Sequence, residues 1–224
     1  MAIKNRRFWG LLFSAIFLLW RCDADRLTGF NYQAEQVPND AIVTGQISNV
    51  FTGEPIHRAT IQMQGRVIST TRDGRYTIPY EIGEDDRLSR PATVRISARQ
   101  YFALDTQLVV FPENNTLNAK LVYGAPIILS SSVADSIVVA EIFDYQGAAN
   151  IDSVFAIGTY WDDSLRVLSN VAFLMNRIDI LDDFSALFQT HFPDTVDSSG
   201  LLRTNYSIRA TDKDDFTETR IFGY

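Results

Sequence analysis

"TGEPIHRATIQMQGRVISTTRDGRYTIPY" spans residues 52–80. It opens on a polar turn, Thr52-Gly53-Glu54-Pro55. Gly53 tolerates the positive φ of a tight turn, and Pro55 fixes the φ of its exit. In "ATIQMQ", Ala59, Ile61 and Met63 fall on one face and Thr60, Gln62 and Gln64 on the other, the period of a half-buried strand. A second strand follows. Asp73-Gly74, both tolerant of positive φ, reads as a two-residue hairpin turn into a third strand through Tyr76. Three short alternating strands between turn signals predict an antiparallel sheet with one apolar face.

The same period continues outward. In "TVRISA", Val94, Ile96 and Ala98 alternate with polar neighbours, and in "LNAKLVY" so do Leu117, Ala119, Leu121 and Tyr123. Ile82-Gly83-Glu84-Asp85 and Pro112-Glu113-Asn114-Asn115 read as turns. A second unit starts at "GAPIILSSSVAD", with strands in "SIVVAEIFD", "SVFAIGTYW", "NVAFLM", "NYSIRATD" and "TETRIFGY". "DDFSALFQTHF" reads as a helix, with Asp183 as its cap and Phe184, Leu187 and Phe188 as its apolar stripe. The expected fold class is all-β: two tandem antiparallel β-sandwich domains, at 41–123 and 124–224, after a linker at 25–40.

The charge supports that division. Residues 25–123 carry 10 basic and 11 acidic side chains, whereas 124–224 carry 6 and 15. So acidic a chain repels nucleic acid and anionic lipid, and neither is expected as a partner.

The first residues follow different rules. Lys4, Arg6 and Arg7 precede an apolar run from Phe8 to Trp20, too short for a membrane-spanning helix but suited to a secretory signal over residues 1–24. Cys22, the only cysteine, follows that run where a bacterial lipoprotein signal carries its lipidated Cys. Leu19 fits that pattern, while Trp20 and Arg21 replace its small residues. Cleavage after Ala24 is the competing reading. Either way the chain is expected to be exported, to the periplasm, outer membrane or cell surface, and to touch membrane only through an N-terminal anchor.

The opening stretch resembles the carboxypeptidase regulatory-like domain, a transthyretin-like sandwich. The resemblance rests on Gly45-Gln46-Ile47, Gly53-Glu54-Pro55-Ile56, Ala59-Thr60-Ile61 and Thr70 through Tyr76, and covers about 41–123. Gln100 stands where that family usually has Gly, so the turn there is expected to differ. The resemblance implies structural turns at Gly53, Pro55, Asp73 and Gly74, and no catalytic residue. More loosely, 124–224 resembles the immunoglobulin-like or fibronectin-like domains of bacterial surface proteins, through Asp144-Tyr145-Gln146-Gly147, Ile151-Asp152-Ser153-Val154 and Ala210-Thr211-Asp212.

Catalytic chemistry is hard to find in the sequence. It holds two histidines, His57 and His191, no Gly-x-Ser-x-Gly and no Gly-rich phosphate loop. Asp162-Asp163 and Asp182-Asp183 are carboxylate pairs of the type a glycosidase needs, but adjacent acids on a strand point apart. Tyr160 and Trp161 are neighbours on one strand, so one points in and the other out, where it either stacks on a ligand or packs at the sandwich edge. Asp144, Asp212 and Asp214 lie at strand ends. They form either a calcium site or a solvated acidic pole. No other cofactor is called for. The expected function is an exported, non-catalytic binding or scaffold protein of the cell envelope, possessing an envelope protein or glycan as partner. The alternatives are an accessory subunit or enzyme acting on glycans or peptides through paired carboxylates, and a carrier of a small ligand.

Overall fold

The computed structural model describes residues 40–83, 89–196 and 199–223. The signal segment, the linker before Asp40 and part of the Ile82–Asp85 turn lie outside these residues. Apart from one turn of 3-10 helix at Ala148–Asn150, the regular elements described are strands.

Sheets I and II form the first sandwich. Sheet I is built on β1 (Asp40–Asn49), flanked by β4 (Arg75–Glu81) on one side and by β7 (Glu113–Thr116) and then β8 (Ala119–Leu121) on the other. Sheet II runs β3 (Arg66–Ser69), β2 (Thr60–Met63), β5 (Arg90–Ser97), β6 (Leu104–Val110). Inward residues of both sheets form one core, including Val43, Ile47, Ile61, Met63, Ile78, Val94 and Ile96. The predicted face Ala59–Ile61–Met63 is buried there, and Ile61 and Met63 each contribute about 1.5–3 kcal/mol.

Sheet I is not purely antiparallel. β1 pairs antiparallel with β4 but parallel with β7 and β8. The stretch expected to turn at Pro112–Asn115 is therefore largely strand β7. Only its start turns, where Glu113 adopts a φ of 73° and the Asn115 side chain bonds both backbone groups of Phe111. The change from β7 to β8 explains Gly45. A Cβ there would lie 1.9 Å from the Leu117 carbonyl oxygen. That oxygen accepts a hydrogen bond from the Tyr76 hydroxyl at 2.7 Å.

The hairpin also differs from expectation. β2 and β3 are joined by Gln64-Gly65, both at positive φ (49° and 72°). Asp73-Gly74 instead turns the chain from β3 in sheet II to β4 in sheet I, which pair with different neighbours. Local turn chemistry is the same in both cases, so the dipeptide does not reveal which strands it joins. Gly74 has a φ of 71° and sits 2.5 Å, measured from a would-be Cβ, from the Ile47 carbonyl.

Sheets III and IV form the second sandwich. Sheet III runs β13 (Asn176–Ile180), β14 (Ser185–His191), β10 (Ile137–Phe143), β9 (Ile127–Ala134). Sheet IV runs β12 (Val167–Leu174), β11 (Ile151–Asp162), β16 (Ser199–Asp212), β15 (Thr195–Val196), with β17 (Thr217–Gly223) also on β16. A second core, separate from the first, holds Ile128, Val138, Ile142, Val154, Phe188, Phe192 and Ile208.

The predicted helix is β14. Ala186 and Phe188 are buried at strand spacing, and β14 fills the gap between β10 and β13. Pairing on both sides outweighs a weak helical stripe. The cap-like signal was real but misplaced: Asp182, rather than Asp183, accepts the Phe184 and Ser185 N–H groups, and these bonds lower its pKa.

Candidate functional site

The two sandwiches meet through a short, well-bonded junction. Gly124 donates its N–H to the Gln100 carbonyl at 2.9 Å. Gln146 Nε2 donates to the Tyr123 carbonyl at 2.9 Å. The Phe102 and Phe216 rings meet edge to face at 4.8 Å. A Cβ on Gly124 would lie 2.5 Å from the Phe216 ring, so glycine is what lets the chains approach. Gln100 keeps a left-handed φ of 67° despite its side chain, so the turn retains the conformation expected of Gly and places a polar group at the junction. That group bonds Glu218.

An aromatic row crosses the junction. Phe51, in the turn after β1, stacks on Tyr145 at 4.0 Å with the planes 2° apart. Tyr145 meets Phe143 edge-on at 4.8 Å, and Phe143 lies 6.0 Å from Phe184. Tyr123 sits between Tyr145 and Tyr101, at 6.4 and 5.1 Å. The row ends in two open rings, Phe51 at 44% exposure and Phe184 at 45%. Beside it, Arg99, Gln100, Thr217, Glu218 and Thr219 line a polar cleft of about 380 Å³. Tyr123 links row and cleft: burial, helped by the Glu218 charge, pushes its hydroxyl pKa up to about 12.

The acidic residues divide between the two ends of the second sandwich. Asp144, Asp212 and Asp214 meet at the junction end. Asp144 and Asp212 are buried, at 0% and 1% exposure, whereas Asp214 is exposed. Asp144 Oδ1 accepts the Gln146 N–H, and its Oδ2 receives the Asn150 amide at 3.4 Å. The same amide reaches Asp214 Oδ2 at 3.3 Å. Asp212 Oδ1 accepts the N–H groups of Asp214 and Phe216. Burial raises the pKa of both Asp144 and Asp212, and Asp144 is raised further by the Asp212 and Asp214 charges. Among the described residues, no three His, Cys, Asp or Glu side chains form a metal cage by themselves.

Tyr160 and Trp161 lie at the far end of β11. Tyr160 is fully buried and its hydroxyl donates to the Pro193 carbonyl, while Trp161 is partly exposed and donates to Asp163. Of the pair, only Trp161 faces solvent. Gly53 has a φ of 73°, and the β1–β2 turn closes through an Asn49 N–H bond to the Glu54 carbonyl at 2.8 Å. Pro55 bridges Ser48. One acid of each adjacent pair serves a turn: Asp162 accepts from Ser164 and Leu165, Asp182 from Phe184 and Ser185. His57 and His191 are both exposed. Cys22 lies outside the described residues. Sequence reasoning missed the aromatic row, because its rings are scattered from Phe51 to Phe184 and no local signal joins them.

No protein-family model matches the chain, and no curated protein matches it. Several solved structures show a distant similarity to the chain. A DUF3823 family protein from Bacteroides ovatus is 11% identical, with a TM-score of 0.34 over 82% of this chain and 98% of that one. A candidate carbohydrate-binding protein from Bacteroides uniformis is 13% identical, with a TM-score of 0.34 over 84% and 100%. BcpA, the major pilin subunit of Bacillus cereus, is 9% identical, with a TM-score of 0.37 over 81% and 67%. Likeness at this level is too low to transfer a ligand or a site.

Proposed function

We propose that the protein is an exported, non-catalytic binding module of the bacterial cell envelope, and that its ligand is a neutral glycan held at the junction. The observation that carries this reading is the aromatic row, open at Phe51 and Phe184, whose Tyr123 adjoins the polar cleft through Glu218. Flat aromatic faces suit the C–H faces of sugars, and a few convergent polar groups then fix orientation. Gln100, Glu218, Arg99 and the two threonines supply such donors and acceptors. The acidic second half disfavours anionic ligands.

A non-catalytic role is supported by the carboxyl groups. The two with raised pKa, Asp144 and Asp212, are closed off from solvent, and one acid of each adjacent pair, Asp162 and Asp182, is committed to a turn. Anchoring through a lipid on Cys22 is the matching proposal for location. Intact-mass analysis of the protein recovered from its envelope tests it, a free amine at Asp25 excluding the lipid.

The binding test uses an array of neutral envelope and capsule glycans. F51A/F184A is expected to bind at least tenfold more weakly, about 1.4 kcal/mol, while still folding cooperatively with only a modest loss of thermal stability, because both rings are half exposed. Binding unchanged in this variant, or turnover of the bound glycan, overturns the reading.

A further inference from the structure

Asp144 and Asp212 are buried carboxylates whose hydrogen-bond partners among the described residues are all uncharged N–H donors. Among the described residues, no Lys, Arg or His side chain pairs with either. Buried charges in proteins are paired or bind a metal, and otherwise neutralise. The described residues contain two buried side-chain polar atoms without a hydrogen-bond partner, and both belong to this corner: Asp212 Oδ2 and Gln146 Oε1. Both are oxygens. Gln146 is fixed beside Asp144 by its own N–H, and its Nε2 is already used on Tyr123. The single amide that approaches Asp144 Oδ2 and Asp214 Oδ2 does so at 3.4 and 3.3 Å, too long to compensate two carboxylates.

We infer that this corner binds one calcium ion, through Asp212 Oδ2, Gln146 Oε1 and Asp144 Oδ2, with water completing its shell. Two carboxylates neutralise its charge, and the amide oxygen adds a neutral hard ligand. Calcium accepts such mixed oxygen sets and irregular geometry, whereas magnesium demands a near-ideal octahedron. The three donors come from two loops, and among the described residues no cationic side chain bridges them. Asp214, exposed at the rim, lies outside this set.

The test is calorimetric titration of the chelator-treated, unmodified protein with calcium chloride, alongside thermal melts. One calcium per chain is expected. At 100 times its dissociation constant the melting midpoint should rise by about 5–10 °C. D144N and D212N should each abolish the shift. D135N, at the opposite end of β10, should keep it. If either Asn variant does not fold, the titration of the unmodified protein decides alone. No heat of binding together with identical melts in calcium and in chelator overturns the inference and leaves a shared proton as the neutralising group. A shift that survives D212N overturns it as well.

Discussion

Replacing Tyr76 by Phe probes the contact that joins the two halves of sheet I. The ring is 5% exposed, and its hydroxyl donates to the Leu117 carbonyl at 2.7 Å, at the crowded crossing over Gly45. Phe keeps the ring and removes the donor, so a half-buried carbonyl loses this bond. The cost is about 1–3 kcal/mol near pH 8. The hydroxyl's pKa is pushed up to about 12 by burial, above the unfolded value near 10. A folded pKa above the unfolded one means that the native state holds its proton longer. The stabilisation is complete below pH 10 and drains away as pH rises toward 12, by up to about 2–3 kcal/mol. Tyr76→Phe lacks this titration. The difference between the two proteins should therefore be largest at pH 8 and shrink steadily above pH 10. Urea unfolding at half-unit steps from pH 8 to 11.5 measures it, and the other tyrosines cancel in the difference. A difference that stays constant with pH, or a variant as stable as the parent at pH 8, refutes the reasoning.

Two further outcomes follow from the glycines. Gly45→Ala should cost more than about 3 kcal/mol or prevent folding, because its Cβ would meet backbone oxygen at 1.9 Å; a cooperative melt within a few degrees of the parent contradicts this. Gly124→Ala should cost about 1–3 kcal/mol by overpacking Phe216, and Phe216→Ala in the same chain should recover part of that loss; additive losses in a double-mutant cycle would show that the two do not meet.

How far the sequence reveals this molecule depends on the range of the interaction. Strands with clean alternation, such as Arg75–Glu81 and Ile137–Phe143, are readable because the burial of alternate side chains is encoded residue by residue. The parallel pairing of β1 with β7 is not, since a parallel partner 72 residues away leaves no mark on either segment. β14 was hidden for a related reason: Phe184, Leu187 and Phe188 fit a helix as well as a strand until β10 and β13 are placed beside them. The Asp73-Gly74 turn was legible as a turn but not as a change of sheet. Of the candidate site, the acids were visible as a cluster of types. What the sequence could not distinguish was burial: Asp144 and Asp212 read the same as exposed Asp214.

Several departures from local rules of different kinds lie around one junction. Gln100 holds a left-handed φ that glycine would adopt without strain. Asp144 and Asp212 are buried acids with no cationic partner among the described residues. Asp212 Oδ2 and Gln146 Oε1 are buried acceptors with no donor. Phe51 and Phe184 are large apolar rings left half exposed at the two ends of a packed row. Each departure costs stability, and none is needed to close either core, which fill separately. Natural sequences keep such departures mainly where function requires them. The segment Asp144-Tyr145-Gln146 contributes to all of them but Gln100 and Phe184 directly: a buried acid, the ring under Phe51, and an orphan oxygen whose amide also holds Tyr123. Its three consecutive side chains face the acidic corner, the aromatic row and the first sandwich. A ligand at any one of these restrains a backbone that serves the other two, which is the physical reason to look for binding here and not at the exposed tryptophan at the far end of β11.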